Sequence, residues 1–187
     1  PPQFAHLPIL LGADRSKLSK RHGAMAITKY REQGYLAEAI VNSLALLGWS
    51  LDDKTEILSI KELKNSFSLE RVNRTAAIFN KDKLEWINGI YIRGLSLEDF
   101  SKRSLLFLEN GLPPEIKRPL SADYIRQVLP LIQERTKTLA EVAELTQFFF
   151  ANELNYESDL LIAKKMNQAL AVQALQTSFK RIEQLAV

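Results

Sequence analysis

Apolar residues recur at the spacing of an α-helix along much of the chain. In the first half, one predicted helix would end at Gly48, and its apolar face comprises Leu36, Ile40, Leu44 and Leu47. A second helix is predicted over about residues 60–67. Asn80 is a candidate N-cap for a third, whose apolar face comprises Leu84, Ile87 and Tyr91. The chain is therefore predicted to be mostly helical up to about residue 95.

After residue 95 the pattern predicts helices only. Candidate N-caps open three of them, at Ser96 with Asp99, at Ser121, and at Thr138 with Glu141. Gly111 is expected to end the first of these helices, and Pro130 to kink or restart the second. From Ser158 to the end of the chain, apolar residues at helical spacing predict one long helix or two joined ones.

The start of the chain differs from the rest. Residues 7–11 (LPILL) are a candidate for a short buried strand, and residues 12–23 (GADRSKLSKRHG) are polar enough to predict an exposed loop. The predicted fold class is therefore mainly α, with a short strand-and-loop start. We expect two domains, residues 1–95 and residues 96–187, the second being an all-helical bundle.

The composition excludes several kinds of site. The 187 residues contain no Cys and only two histidines, His6 and His22, so disulfides, thiolate metal sites and a helical histidine-pair zinc site are excluded, and we expect no metal site. No apolar run approaches the roughly 20 residues that span a bilayer, and we expect a cytoplasmic monomer. Because the sequence begins without Met and stops inside a helical pattern, we expect both ends to be cut.

The net charge of +3 conceals two basic stretches. Residues 1–34 carry six bases against two acids, a local charge of +4. Between residues 117 and 137, five bases face two acids, and these bases are Lys117, Arg118, Arg126, Arg135 and Lys137. Two basic zones in a balanced chain suit an elongated polyanion such as folded RNA, although solvated helix faces explain the same charges.

The predicted loop contains the pentapeptide KLSKR, from Lys17 to Arg21, with three cations in five residues. Lysine ammonium groups are mobile point charges that can follow a phosphate as its negative charge redistributes, and a loop can close over a nucleotide. Leu18, the one apolar residue, can anchor the loop to the body of the protein. A solvated turn is the alternative that composition alone leaves open.

KLSKR, preceded by a strand and a glycine, resembles the KMSKS signature of class I aminoacyl-tRNA synthetases, in the form found in the glutamyl-tRNA synthetase family. The stretches LAEAIVNSLALLGWS and AAIFNKDKLEWINGIYI are similar to that family as well, and the resemblance covers essentially the whole chain. Leu18 and Arg21 depart from the general signature, and Asn80 stands where the family usually has Asp.

The resemblance implies a ligase that uses ATP with Mg²⁺ to form glutamyl-adenylate and then passes glutamate to the 3′ end of the glutamate tRNA. It implies that Lys17 and Lys20 contact the ATP phosphates, Lys20 most directly, while Ser19 and Arg21 support the loop. It also implies that Arg135 reads the third anticodon base, which suits the planar guanidinium because this group can stack on a base or donate two hydrogen bonds.

The resemblance assigns roles to the two predicted domains. Residues 1–95 would hold the catalytic loop and contact the tRNA stem, and residues 96–187 would form a truncated anticodon-binding domain. The HIGH-like partner motif of this class needs two histidines three positions apart, and the chain has none, so we expect no bound cofactor and no adenylate formation by this chain alone.

Two rival functions stay open, a helical RNA-binding module without catalytic ancestry and a helical protein-interaction scaffold. Trp49 and Trp86 are both expected to pack in the core rather than to stack on bases.

Overall fold

The computed structural model describes residues 2, 4–19, 26–151, 153 and 157–185. Helices dominate this part of the chain, namely α1 (Ile27–Glu32), α2 (Ala37–Leu46), α3 (Ile60–Ser66), α4 (Lys81–Arg93), α5 (Leu97–Gly111), α6 (Ala122–Gln133), α7 (Val142–Phe150) and α8 (Gln168–Leu185). Single 3-10 turns lie at Leu69–Arg71, Leu139–Glu141 and Ser158–Leu161. Two short strands, β1 (Leu10–Leu11) and β2 (Ala77–Ile78), pair in parallel. The predicted mainly α fold class is confirmed.

The predicted N-caps explain where four of these helical segments begin. The side chains of Asn80, Ser96 and Ser121 each accept a hydrogen bond from the backbone N–H three residues ahead, at 3.0, 3.1 and 3.4 Å respectively. Thr138 and Glu141 form a reciprocal capping box, which opens with a 3-10 turn before α7. Each cap satisfies an N–H group that the first helical turn leaves without a partner.

Residues 1–150 form a compact unit of their own, and three buried hydrophobic clusters lie in its described part. Helices from both sides of residue 95 contribute to the largest cluster, whose buried members include Leu36, Ile87, Ile92, Phe100, Leu108, Leu129 and Val142. Arg103 of α5 also donates two hydrogen bonds to the carboxylate of Glu38 of α2, at 2.8 and 3.2 Å. The domain boundary that we predict after residue 95 therefore lies inside one folded unit. That residues 1–95 and residues 96–187 have separate roles stays a prediction.

The predicted strand at residues 7–11 is wrong in its length and burial, and of the two alternatives predicted at Pro130, a kink or a restart, the restart is excluded. The strand covers only Leu10–Leu11 and is half-buried, while Leu7 and Ile9 are exposed, because its parallel partner β2 is also only two residues long. α6 runs through Pro130 as one element, so the predicted restart does not occur.

Residues 151–187 form the second compact unit. Its helix, α8, begins at Gln168 rather than near Ser158, because Asn167 provides an N-cap by accepting a hydrogen bond from the N–H of Leu170 at 2.9 Å. Apolar side chains stay exposed along α8, with Phe179 and Ile182 more than half exposed. None of the helices that the structure describes has the length and hydrophobicity needed to span a membrane.

Candidate functional site

A tight turn after β1 reverses the direction of the chain. The N–H of Gly12 donates to the carbonyl of Ser16 at 2.9 Å, and the carboxylate of Asp14 accepts hydrogen bonds from the N–H and the hydroxyl of Ser16 at 3.0 and 3.1 Å. Arg15 adopts a φ of +62°, and its N–H donates back to the carbonyl of Gly12. This turn brings the basic pentapeptide back alongside β1.

Lys17 and Leu18 face opposite ways on the returning chain, since successive side chains of an extended segment alternate in direction. Lys17 forms an antiparallel bridge with Leu11, and the N–H of Leu18 donates to the carbonyl of Leu10 at 2.8 Å. Leu18 packs against a buried cluster of Tyr30, Tyr35, Ile40, Phe79 and Leu84, whereas Lys17 is exposed. Leu18 therefore anchors the loop as predicted, and the ammonium group of Lys17 stays in solvent.

The structure covers two of the four residues predicted for the ATP-binding loop. Lys17 is exposed and Ser19 is half-buried, two positions apart on the returning chain. Lys20 and Arg21 lie outside the described residues. The roles of all four residues in binding ATP stay predictions.

A partly open cavity of about 180 Å³ adjoins Leu18. Its lining contains no charged side chain and consists of Leu10, Leu18, Ile27, Tyr30, Ile40, Ser43, Leu44, Leu47, Phe79 and Leu84. Because an unpaired charge is costly to bury, this cavity does not suit a charged ligand, whereas Lys17 presents its charge to solvent. Across the described ranges, no three His, Asp or Glu side chains lie close enough together to hold a metal ion.

Arg135 lies in the loop between α6 and α7, and its side chain is exposed. The neighbouring Thr136 is fully buried, and its hydroxyl donates to the carbonyl of Ile132 at 2.9 Å. The side-chain amide of Gln133 donates to two backbone carbonyls at the end of α4, at 2.9 and 3.0 Å. The loop is thus fixed on both sides of Arg135, and Arg135 itself faces solvent.

Asn88 of α4 joins this loop to the start of α2. Its side chain is fully buried, accepts a hydrogen bond from the N–H of Leu36 at 2.8 Å and donates one to the carbonyl of Lys137 at 2.5 Å. The sequence analysis missed this residue, although a polar side chain between Leu84 and Ile92 on a buried helix face was a usable signal. The side-chain amide of Asn88 therefore joins α4, the start of α2 and the loop that carries Arg135.

Gly34, in the turn between α1 and α2, packs directly on the backbone after the Arg135 loop. Its carbonyl accepts a hydrogen bond from the N–H of Leu139 at 3.0 Å. Its φ is +79°, and a β-carbon at this position would lie 2.4 Å from the backbone nitrogen of Ala140. Glycine is required here on both counts.

The second basic stretch is less available to a ligand than its composition indicates. Arg118 is half-buried and donates hydrogen bonds to four backbone carbonyls around the end of α5, so it stabilises that turn. Arg126 lies 3.6 Å from the carboxylate of Asp123. Arg135 and Lys137 stay exposed, and no carboxylate of the described residues lies within 4 Å of either side-chain cation.

The two tryptophans have different environments. Trp49 is 2% exposed, as predicted, and the guanidinium of Arg71 lies 5.4 Å from its ring centroid. Trp86 is 46% exposed, so the prediction that it packs in the core is wrong. Its position is one residue away from the buried stripe of α4, which explains the difference.

Two family models match the chain. A model described as class I tRNA synthetases (E and Q), catalytic domain, matches residues 1–86, and one described as an anticodon-binding domain matches residues 97–187. The first range contains the basic pentapeptide, and the second contains Arg135.

Similar proteins agree with these models. A glutamate-tRNA ligase of Dehalococcoides mccartyi is 50% identical over 100% of this chain and 38% of its own length, and one of Herpetosiphon aurantiacus is 39% identical over 97% of this chain and 38% of its own length. The crystal structure of the glutamate-tRNA synthetase of Elizabethkingia anophelis is 30% identical, with a TM-score of 0.70 over 85% of this chain and 35% of that one. This chain thus spans 38% of the length of these two curated relatives. From the two matched models and these relatives, we conclude that the chain belongs to the glutamate-tRNA ligase family of class I tRNA synthetases.

Proposed function

We propose that this chain is the part of a glutamate-tRNA ligase that supplies the phosphate-binding loop and binds the glutamate tRNA. The observation that carries the proposal is that Leu18 packs while Lys17 stays in solvent, within the segment that the class I catalytic-domain model matches. That arrangement holds a cation at the surface of a loop whose backbone is anchored.

In the reaction that we propose, ATP and glutamate give glutamyl-adenylate and pyrophosphate, and the glutamyl group then passes to the terminal ribose of the tRNA. The ammonium groups of Lys17 and Lys20 would neutralise charge on the phosphates as the bond to pyrophosphate breaks. Ser19 and Arg21 would hold the loop in shape. Mg²⁺ would arrive with ATP and add positive charge at the phosphate oxygens.

Adenylate formation would need a partner outside this chain. The paired-histidine motif of the class is missing from the sequence, and the cavity beside Leu18 is apolar. We therefore propose that the chain alone does not catalyse ATP–pyrophosphate exchange. The relatives are more than twice as long as the matched segment, which leaves room in them for a nucleotide-binding half.

For the tRNA, we propose that residues 1–95 contact the stem and that residues 96–187 bind the anticodon. Arg135 would read the third anticodon base, and its exposure on a loop that is fixed on both sides supports this role, because a pre-positioned arginine loses less freedom on binding. The ligase would act in the cytoplasm as a monomer.

A filter-binding titration of the 187-residue chain at two salt concentrations tests the tRNA half of this proposal. We expect binding that weakens with salt and that favours a transcript with a glutamate anticodon over transcripts with other anticodons. Equal affinity for any duplex RNA would instead support a module without synthetase specificity. Absence of RNA binding would support a protein-interaction scaffold.

A further inference from the structure

A second arginine, Arg93, lies near the backbone of the loop that carries Arg135, and the described residues offer its side chain neither a hydrogen bond nor an ion pair. Arg93 is the last residue of α4, its side chain is half-buried, and its guanidinium folds back over Gly89, one turn earlier. A β-carbon at Gly89 would lie 3.1 Å from Nη1 of Arg93, 3.6 Å from the carbonyl oxygen of Thr136 and 3.7 Å from the Cα of Lys137. The guanidinium therefore occupies the space next to the loop that carries Arg135.

The glycine itself needs a reason, because a glycine inside a helix is less stable than an alanine. Two of the three nearest atoms lie at ordinary van der Waals distance from the missing β-carbon, and they would accept an alanine without strain. The one tight contact is with the tip of the Arg93 side chain. What Gly89 provides is therefore room for this guanidinium rather than room for the backbone of the neighbouring loop.

The charges around Arg93 favour an anionic ligand. Within the described residues, neither a hydrogen bond nor an ion pair holds the side-chain cations of Arg93, Arg135 and Lys137. The nearby carboxylate of Glu141 accepts hydrogen bonds from two backbone N–H groups, and Glu134 is exposed. A guanidinium has five N–H donors, and with no protein acceptor among the described residues those of Arg93 are available to water or to an anionic ligand.

We propose that Arg93 binds a phosphate of the tRNA backbone next to the base that Arg135 reads, and that Gly89 provides the space for it. The inference rests on the proposed function and adds to it a backbone contact that positions the RNA. It assigns the end of α4 to the anticodon region, although α4 belongs to the segment 1–95, because the Arg93 guanidinium lies against the backbone of Thr136 and Lys137. A planar guanidinium can bind two phosphate oxygens at once, which suits this task. Since the contact would be with a phosphate, it would strengthen binding without regard to base identity.

The test uses three variants of the 187-residue chain: Arg93→Gln, Gly89→Ala and, as the matched control, Arg74→Gln. Arg74 is an exposed arginine outside both basic stretches. The probe is a tRNA transcript with a glutamate anticodon, titrated by filter binding at several salt concentrations. Urea unfolding of each variant provides the structural readout.

For Arg93→Gln we expect affinity to fall on the order of tenfold and the salt slope to decrease by about 1, with the preference between anticodons kept. For Gly89→Ala we expect a smaller loss of affinity than for Arg93→Gln, together with an equal or higher urea midpoint, because alanine favours the helix and shifts the guanidinium only slightly. Arg74→Gln should bind like the wild type.

Two outcomes would overturn the inference while leaving the proposed function intact. The first is wild-type affinity and salt slope in Arg93→Gln. The second is a lowered urea midpoint in Gly89→Ala, since this would make Gly89 a packing requirement. If the unmodified chain binds no tRNA, the proposed function fails first, so the two failures are distinguishable.

Discussion

Replacing Asn88 with alanine should destabilise the first unit more than any change of similar size at its surface. The substitution leaves the N–H of Leu36 without an acceptor, in a residue that is 4% exposed. An unsatisfied buried donor costs about 1–3 kcal/mol. The carbonyl of Lys137 also loses its hydrogen-bond donor. Because this hydrogen bond is only partly buried, its loss should lower the free energy of unfolding by about 0.5–1.5 kcal/mol.

Alanine recovers up to about 0.7 kcal/mol through its higher helix propensity, which leaves a net destabilisation of about 1–4 kcal/mol. For a chain of this size, that corresponds to a decrease in Tm of roughly 2–16 °C. Far-UV circular dichroism during urea and thermal unfolding measures both quantities. Asn73→Ala is the control, since Asn73 is exposed. If the two variants were equally stable, the buried amide would not hold the three segments together.

Three further predictions concern single positions. Gly34→Ala should destabilise the protein by more than about 2 kcal/mol, because Gly34 has a positive φ and lies against the backbone of Leu139 and Ala140. Gly48→Ala should have little effect, because the atom nearest to the added β-carbon would lie 3.7 Å away. Equal urea midpoints for the two variants would contradict this prediction. Hydrogen bonds from Arg103 hold the pKa of Glu38 below its ordinary value, so Glu38→Gln should be less stable than the wild type at pH 7, and the gap should close as the pH falls below about 4. A gap that persists in acid would assign the effect to packing. In charging assays of the full-length ligase that we propose, Arg135→Gln should relax discrimination between glutamate and glutamine tRNAs. Unchanged discrimination would show that Arg135 does not read the anticodon.

Local signals were sufficient to predict most of the helices. Asn80, Ser96 and Ser121 act through hydrogen bonds that reach three residues along the chain, so their effect is visible in the sequence. The direction of Leu18 was predictable for a similar reason, since a single apolar residue among cations has one favourable orientation. These features depend on near neighbours only.

Other features depend on residues that are far apart in sequence. Arg118 was counted as surface charge, yet its guanidinium binds backbone carbonyls that only the folded turn brings together. The requirement for glycine at Gly34 arises from the backbone near Ala140, more than a hundred residues away. The short β1 also forms on a partner from another part of the chain, so its length was not readable from residues 7–11 alone.

If ATP phosphates and tRNA bind at separate places on this chain, a single substitution can separate the two functions. The direct measurement compares ATP–pyrophosphate exchange with tRNA affinity for Lys20→Ala, and for Lys17→Ala beside it, in the full-length ligase that we propose. We expect exchange to fall on the order of 10²–10³-fold, because a preorganised charge is lost from the transition state, while tRNA affinity changes little. An equal loss of exchange and of tRNA affinity would contradict the role of this loop.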